Sequence, residues 1–146
     1  MKTKFGVLVA LCVLVLSGCT GNDYPSEEAI KNGDIVTTPE RANIDRFETF
    51  LKRVEVNKKD TIRITNYTTE GDAILEDITY DGKQFVYSLD SSRDEYGSQA
   101  DDREKEVCRN MQKKAENEGY VFTLTDCQEG QDHIVFTARP GELSDR

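Results

Sequence analysis

The 146-residue chain has no tryptophan and a single histidine, His133, and each shortage removes a class of chemistry. Sites that hold or cleave glycans usually stack sugar rings on exposed aromatics, tryptophan foremost. A histidine-activated nucleophile or an imidazole zinc site would have to be built around His133. No Gly-x-Ser-x-Gly elbow, His-Glu-x-x-His pair or glycine-rich phosphate loop occurs. Basic residues are also scarce, 19 Lys and Arg against 28 Asp and Glu. That balance repels nucleic acid and anionic head groups, leaves basic proteins or hard cations as charged partners, and keeps an exported domain soluble.

Long apolar runs are confined to one place, Phe5 to Leu16, twelve uncharged residues preceded by Lys2 and Lys4. This is the layout of a secretory signal. As a helix it would cover about 18 Å, short of the roughly 30 Å hydrocarbon core. Leu16-Ser17-Gly18-Cys19 resembles the bacterial lipobox. That resemblance implies a diacylglycerol on the Cys19 thiol and cleavage before it, and two acyl chains make an anchor stable. Residues 1–18 are therefore expected to be a lipoprotein signal peptide, 19–25 the lipidated cysteine and a short tether, 26–140 one domain, and 141–146 a polar tail. Losing Lys2 and Lys4 moves the formal charge from −9 to −11, and the remaining 128 residues suit a single core.

Four cysteines are present. Cys12 leaves with the signal and Cys19 carries lipid, so Cys108 and Cys127 remain as a pair outside the cytoplasm. An even remainder there suggests one disulfide closing a loop of about twenty residues. Two buried free thiols is the other reading of the same pair.

Along the chain, Ser26 to Gly33 predicts a short helix with acidic residues in its first turn and glycine at its end. Asp34 to Thr37 reads as a brief strand. Asn43 is a candidate cap for an amphipathic helix whose apolar stripe is Ile44, Phe47, Phe50, Leu51 and Val54. Thr61 to Thr68, residues 73–80, and Gln84 to Asp90 alternate as strands, with Asp81-Gly82 as a hairpin turn. Helix formers dominate Asp102 to Glu118 and predict a second long helix stopped by Gly119. Tyr120 to Cys127 and His133 to Ala138 predict a last hairpin. The expected fold is α+β, a two-layer sandwich with a mainly antiparallel sheet, meander plus hairpin, and two amphipathic helices on one face. One conflict stands: strict alternation turns Cys127 away from Phe122 and Leu124, so a bridge to Cys108 needs the strand to end or bulge near Thr125.

No catalytic residue, metal ligand set or cofactor is expected. His133, alternating with Ile134 and Phe136, should point to solvent. The loop from Asp90 to Asp102 is rich in oxygen ligands, but an EF-hand wants Gly where Glu95 stands and Glu where Asp101 stands. Glu70 and Asp72 flank a turn glycine, and Glu76 and Asp77 share a strand, without a pairing that marks a glycosidase. By parity the outer sheet face displays Arg63, Thr65, Tyr67, Asp77, Thr79, Ser88, His133 and Thr137. Arg63 and Tyr67 are its candidate binding residues, since these types most often anchor protein interfaces.

Tyr24 to Asp34 (Tyr-Pro-Ser-Glu-Glu-Ala-Ile-Lys-Asn-Gly-Asp), Ile62-Arg63-Ile64-Thr65 running into Tyr67 to Asp72, and Tyr80-Asp81-Gly82-Lys83 resemble a domain-of-unknown-function family of small lipoproteins from Bacillus-type Gram-positive bacteria. The resemblance implies the outer face of the cytoplasmic membrane and is compatible with pairing of Cys108 and Cys127. It carries no activity to any residue. The expected function is a membrane-anchored, non-enzymatic module that binds another exported protein or peptide, held to the membrane by lipid on Cys19. The alternative is a carboxylate-based hydrolase or wall-modifying enzyme. Oligomeric state is not encoded in any of these features.

Overall fold

The computed structural model describes residues 24–94, 96–97, 105–117 and 119–144. The signal, Cys19 and part of the acidic loop, Glu95 and Asp101 included, lie outside them. Among the described residues are two helices, α1 (Ser26–Asn32) and α2 (Ile44–Glu55), and seven strands. The strands are β1 (Ile35–Val36), β2 (Asp60–Tyr67), β3 (Ala73–Tyr80), β4 (Phe85–Asp90), β5 (Glu106–Glu116), β6 (Gly119–Cys127) and β7 (His133–Ala138). They form one sheet in chain order, with β1 parallel to β2 and every other pair antiparallel.

The fold is mixed α+β, two helices packed against a mostly antiparallel, curled half-barrel sheet, and α2 shows the curl. Phe47 stacks on Phe136 of β7 at 4.1 Å and meets Phe122 of β6 edge-on at 5.0 Å, while Phe50 reaches Phe85 of β4. The same core takes in Ile35 of β1 and Ile62 and Ile64 of β2, so one helix fills a hollow walled by first and last strands alike. Arg41, just after β1, completes the approach of the two edges. Its guanidinium makes a two-pronged pair with Glu142 at 2.6 and 2.7 Å, donates to the Thr137 carbonyl and lies over the Phe136 ring.

The outer face of the first strands is covered too. Tyr24 and Thr65 both donate to the Asp34 carboxylate at 2.8 Å, and Tyr67 donates to the Tyr24 carbonyl. Thr65, expected on the solvent face, is therefore buried, and Ala73 and Leu75 are buried as well. Gly33, at φ 88°, ends α1 and returns its N–H to Ile30. Asn43 does not cap α2 with its side chain; its amide instead holds the Ile30 and Asp34 carbonyls.

Of the expected helix over Asp102 to Glu118, residues 102–104 and 118 lie outside the described residues and Glu106–Glu116 is β5, which leaves α2 as the one long helix among the described residues. The local preference of β5 loses to pairing with β6, which runs from Cys108 opposite Cys127 to Glu116 opposite Gly119. Asn117, at φ 46°, opens the tight turn that sets this register. Gly119 is no helix stop: a Cβ there would lie 2.2 Å from the Ala138 carbonyl oxygen, so only glycine lets β6 start beside β7.

Candidate functional site

Two departures from alternation build a polar cluster inside the curl. Asp126 takes a left-handed φ of 55°, which turns Cys127 back to the core side used by Leu124. β5 and β6 keep one continuous register here, so the left-handed residue near Thr125, not an inserted one, brings Cys127 round, and Cys108 and Cys127 are disulfide-bonded with Cα atoms 3.9 Å apart. The bridge joins two neighbouring strands rather than a helix and a strand. In β7, Phe136 pairs with Phe122 but Ile134 pairs with Thr123, so Val135 is an extra residue. This bulge reverses the expected facing: Ile134 is 67% exposed and Val135 buried. His133 consequently faces in, not out.

His133 Nε2 lies 2.5 Å from Glu106 Oε2, and its ring stacks on Tyr87 at 4.4 Å. Glu106 is buried beside Cys108, and its Oε1 accepts from the Glu129 N–H at 2.8 Å. Burial resists its ionisation, but that N–H and the imidazole outweigh it and hold the carboxyl below its ordinary range. One ligand atom each from Glu106, Cys108, Cys127 and His133 falls within 4.8 Å of all the others. Carboxylate, imidazole and two sulfurs are a donor set that can hold a metal, though the sulfurs are here bonded to each other.

A chain of polar contacts runs on from this cluster. Tyr87 donates to Glu76 at 3.1 Å, Asn66 donates to the other Glu76 oxygen at 3.1 Å, and Thr37 donates to Asn66. Burial pushes Glu76 up to about 7, with the Tyr87 and Asn66 hydrogen bonds pulling the other way. Burial and then the Glu76 charge raise Tyr87 well above the phenolic range. Glu76 lines a cleft of about 360 Å³ between the two sheet edges, walled by Thr37, Thr38 and Arg41 on one side and by Ile134 to Thr137 on the other.

The residues proposed from sequence lie elsewhere. Arg63 pairs two-pronged with Asp77 across β2 and β3 at 2.7 and 2.8 Å. Tyr67, pushed up to about 12 by burial and then by Tyr24, lines a separate cleft of about 500 Å³ with Pro25, Pro39 and Gly71. The two share an outer face, and each already has an intramolecular partner. Sequence reasoning missed Glu106 and misplaced His133. The usable signal was Glu106-x-Cys108: on a strand these residues share a face, whereas on a helix they point roughly 200° apart.

No helix among the described residues is long and apolar enough to cross a membrane. No curated protein and no solved structure matches the chain. Residues 31–123 match the family model described as a domain of unknown function (DUF4362). This match takes in the sheet from β1 into β6, including Glu76, Tyr87, Glu106 and Cys108, and the chain belongs to that family.

Proposed function

We propose that this is a lipid-anchored, non-enzymatic binding module at the outer face of the cytoplasmic membrane, which captures an extended segment of another exported protein. The observation that carries the reading is the cleft between the sheet edges. Among the described residues β7 is paired only with β6, and its other edge faces that cleft with Ile134 exposed beside it. An unpaired edge beside a groove is where an added strand gains main-chain hydrogen bonds and side-chain pockets together. The acid excess favours a partner that is basic overall.

A photo-crosslinking residue in place of Ile134, in intact cells, is expected to form adducts with a specific exported protein. The same residue in place of Arg63 or Tyr67 is expected to form none. Adducts from the outer positions alone would move the partner to the Arg63 and Tyr67 face. The tether is tested separately: Cys19→Ala should leave an unmatured chain that no longer fractionates as a lipoprotein, and wild-type membrane retention of that chain would refute the lipid anchor.

A second reading, a carboxylate-based hydrolase, draws support from Glu76, whose proton is lost near neutral pH within a cleft, as a general acid requires. Turnover of wall fragments by the purified chain that disappears in Glu76→Gln would favour it over the binding module.

A further inference from the structure

We propose that Glu106, Cys108, Cys127 and His133 form a redox-gated zinc site, closed while the cysteines are bridged and opened to Zn²⁺ when they are reduced. Two thiolates, one imidazole and one carboxylate make a four-ligand set of the kind zinc takes. The four ligand atoms already stand within 4.8 Å of one another. Tetrahedral zinc, with bonds of about 2.3 Å to sulfur and about 2.0–2.1 Å to nitrogen and oxygen, needs them about 3.3–3.8 Å apart. Two pairs stand closer than that, the sulfurs because they are bonded to each other and His133 Nε2 with Glu106 Oε2 at 2.5 Å. Reduction separates the first pair, and a cation placed between the second separates them in turn.

The surroundings hold the ligands for this task. The Glu129 N–H occupies Glu106 Oε1 and leaves Oε2 aimed at the imidazole, while the Tyr87 ring fixes the plane of His133. Cys108 is fully buried and Cys127 and Glu106 nearly so, whereas His133 is partly exposed, so metal and reductant approach from the His133 side.

The chemistry balances with a dithiol carrier as reductant. The carrier passes two electrons and two protons to the bridge and becomes a disulfide, leaving two protein thiols. Zn²⁺ then displaces both thiol protons to solvent and binds the thiolates, His133 and Glu106. In reverse, a carrier disulfide accepts the two thiolate electrons with two protons from solvent. The protein S–S bond re-forms, and Zn²⁺, left with imidazole and carboxylate alone, dissociates. Either lock, covalent or metallic, ties β5 to the end of β6.

The test uses the full chain in detergent, reduced under anaerobic conditions by a phosphine, which takes oxygen from water as the bridge takes its two hydrogens. Co²⁺ serves as the probe and Zn²⁺ as its competitor. The expected result is one Co²⁺ per reduced chain, with a thiolate-to-metal charge-transfer band and the intense visible bands of tetrahedral cobalt. Zn²⁺ should erase both, and the oxidised chain should bind no Co²⁺. Glu106→Gln and His133→Gln should each weaken binding at least tenfold, and Cys108→Ser should remove the charge-transfer band. A folded, reduced chain without these bands overturns the proposal, as does an affinity unchanged by either Glu106→Gln or His133→Gln. Equal binding by the oxidised chain removes the gate. A reduced chain that loses its sheet signal in circular dichroism and does not regain it with Zn²⁺ overturns the proposal as well.

Discussion

Replacing Cys108 and Cys127 together by alanine is expected to cost about 3 kcal/mol, since the bridge closes a loop of about twenty residues and its loss restores that loop's freedom to the unfolded chain. The bridge sits where the loss matters. Cys108 and Cys127 stand directly opposite one another, Cys108 pairs with Phe85 on its other side, and both sulfurs belong to the core that holds Phe50 and Phe85. Beyond this point β5 has only β6 beside it, and most of it from Arg109 to Glu116 is exposed. Little apolar burial is available there to offset a loosened junction. Urea denaturation of wild type and double variant, without reductant, measures the difference. A loss under about 1 kcal/mol would mean that the β5–β6 ladder holds the junction without the covalent link.

The second large effect is in pH. In the unfolded chain Glu76 titrates near 4.5, whereas in the folded protein burial pushes it up to about 7. Between those values the folded state keeps a proton that the unfolded state has released, so stability from this group is fully present below pH 4.5 and falls as pH rises to 7. Across the window the loss is about 3 kcal/mol. Glu76→Gln copies the neutral acid in shape and retains a partner for Tyr87 and Asn66. The variant should therefore match wild type at pH 4 and exceed its stability by about 3 kcal/mol at pH 8. Parallel stability profiles for the two proteins from pH 4 to 8 would show that Glu76 ionises in the folded state as it does in water.

That a protein should keep such a group is the sort of local inconsistency that marks functional sites. The strained arithmetic of Glu76 and the four-ligand cluster lie on one polar path, joined by Tyr87, which donates to Glu76 and stacks on His133. The cleft that exposes Glu76 is also the groove beside the free edge of β7. A strand added there and a metal taken up at His133 would act on adjoining parts of the same hollow.

Elements whose cause is local were readable from sequence. The stripe Ile44, Phe47, Phe50, Leu51 and Val54 repeats with the helix and became α2. Alternation on either side of Asp81-Gly82 became the β3–β4 hairpin, and the even cysteine remainder became a disulfide. The parity conflict at Cys127 was itself a correct signal, because the left-handed Asp126 resolves it. Tertiary structure alone decided the rest. Glu106–Glu116 consists largely of good helix formers, and only hydrogen bonds to residues brought up by the following turn make it a strand. The Val135 bulge, which turns His133 inward and Ile134 outward, depends on how β7 meets β6 across the closing curl. The curl in turn needs Arg41 and Glu142, about a hundred residues apart in sequence, to meet. Periodicity encodes which way one segment faces. It carries no information about which distant backbone will outbid that preference, and the candidate site is made of residues placed by that competition.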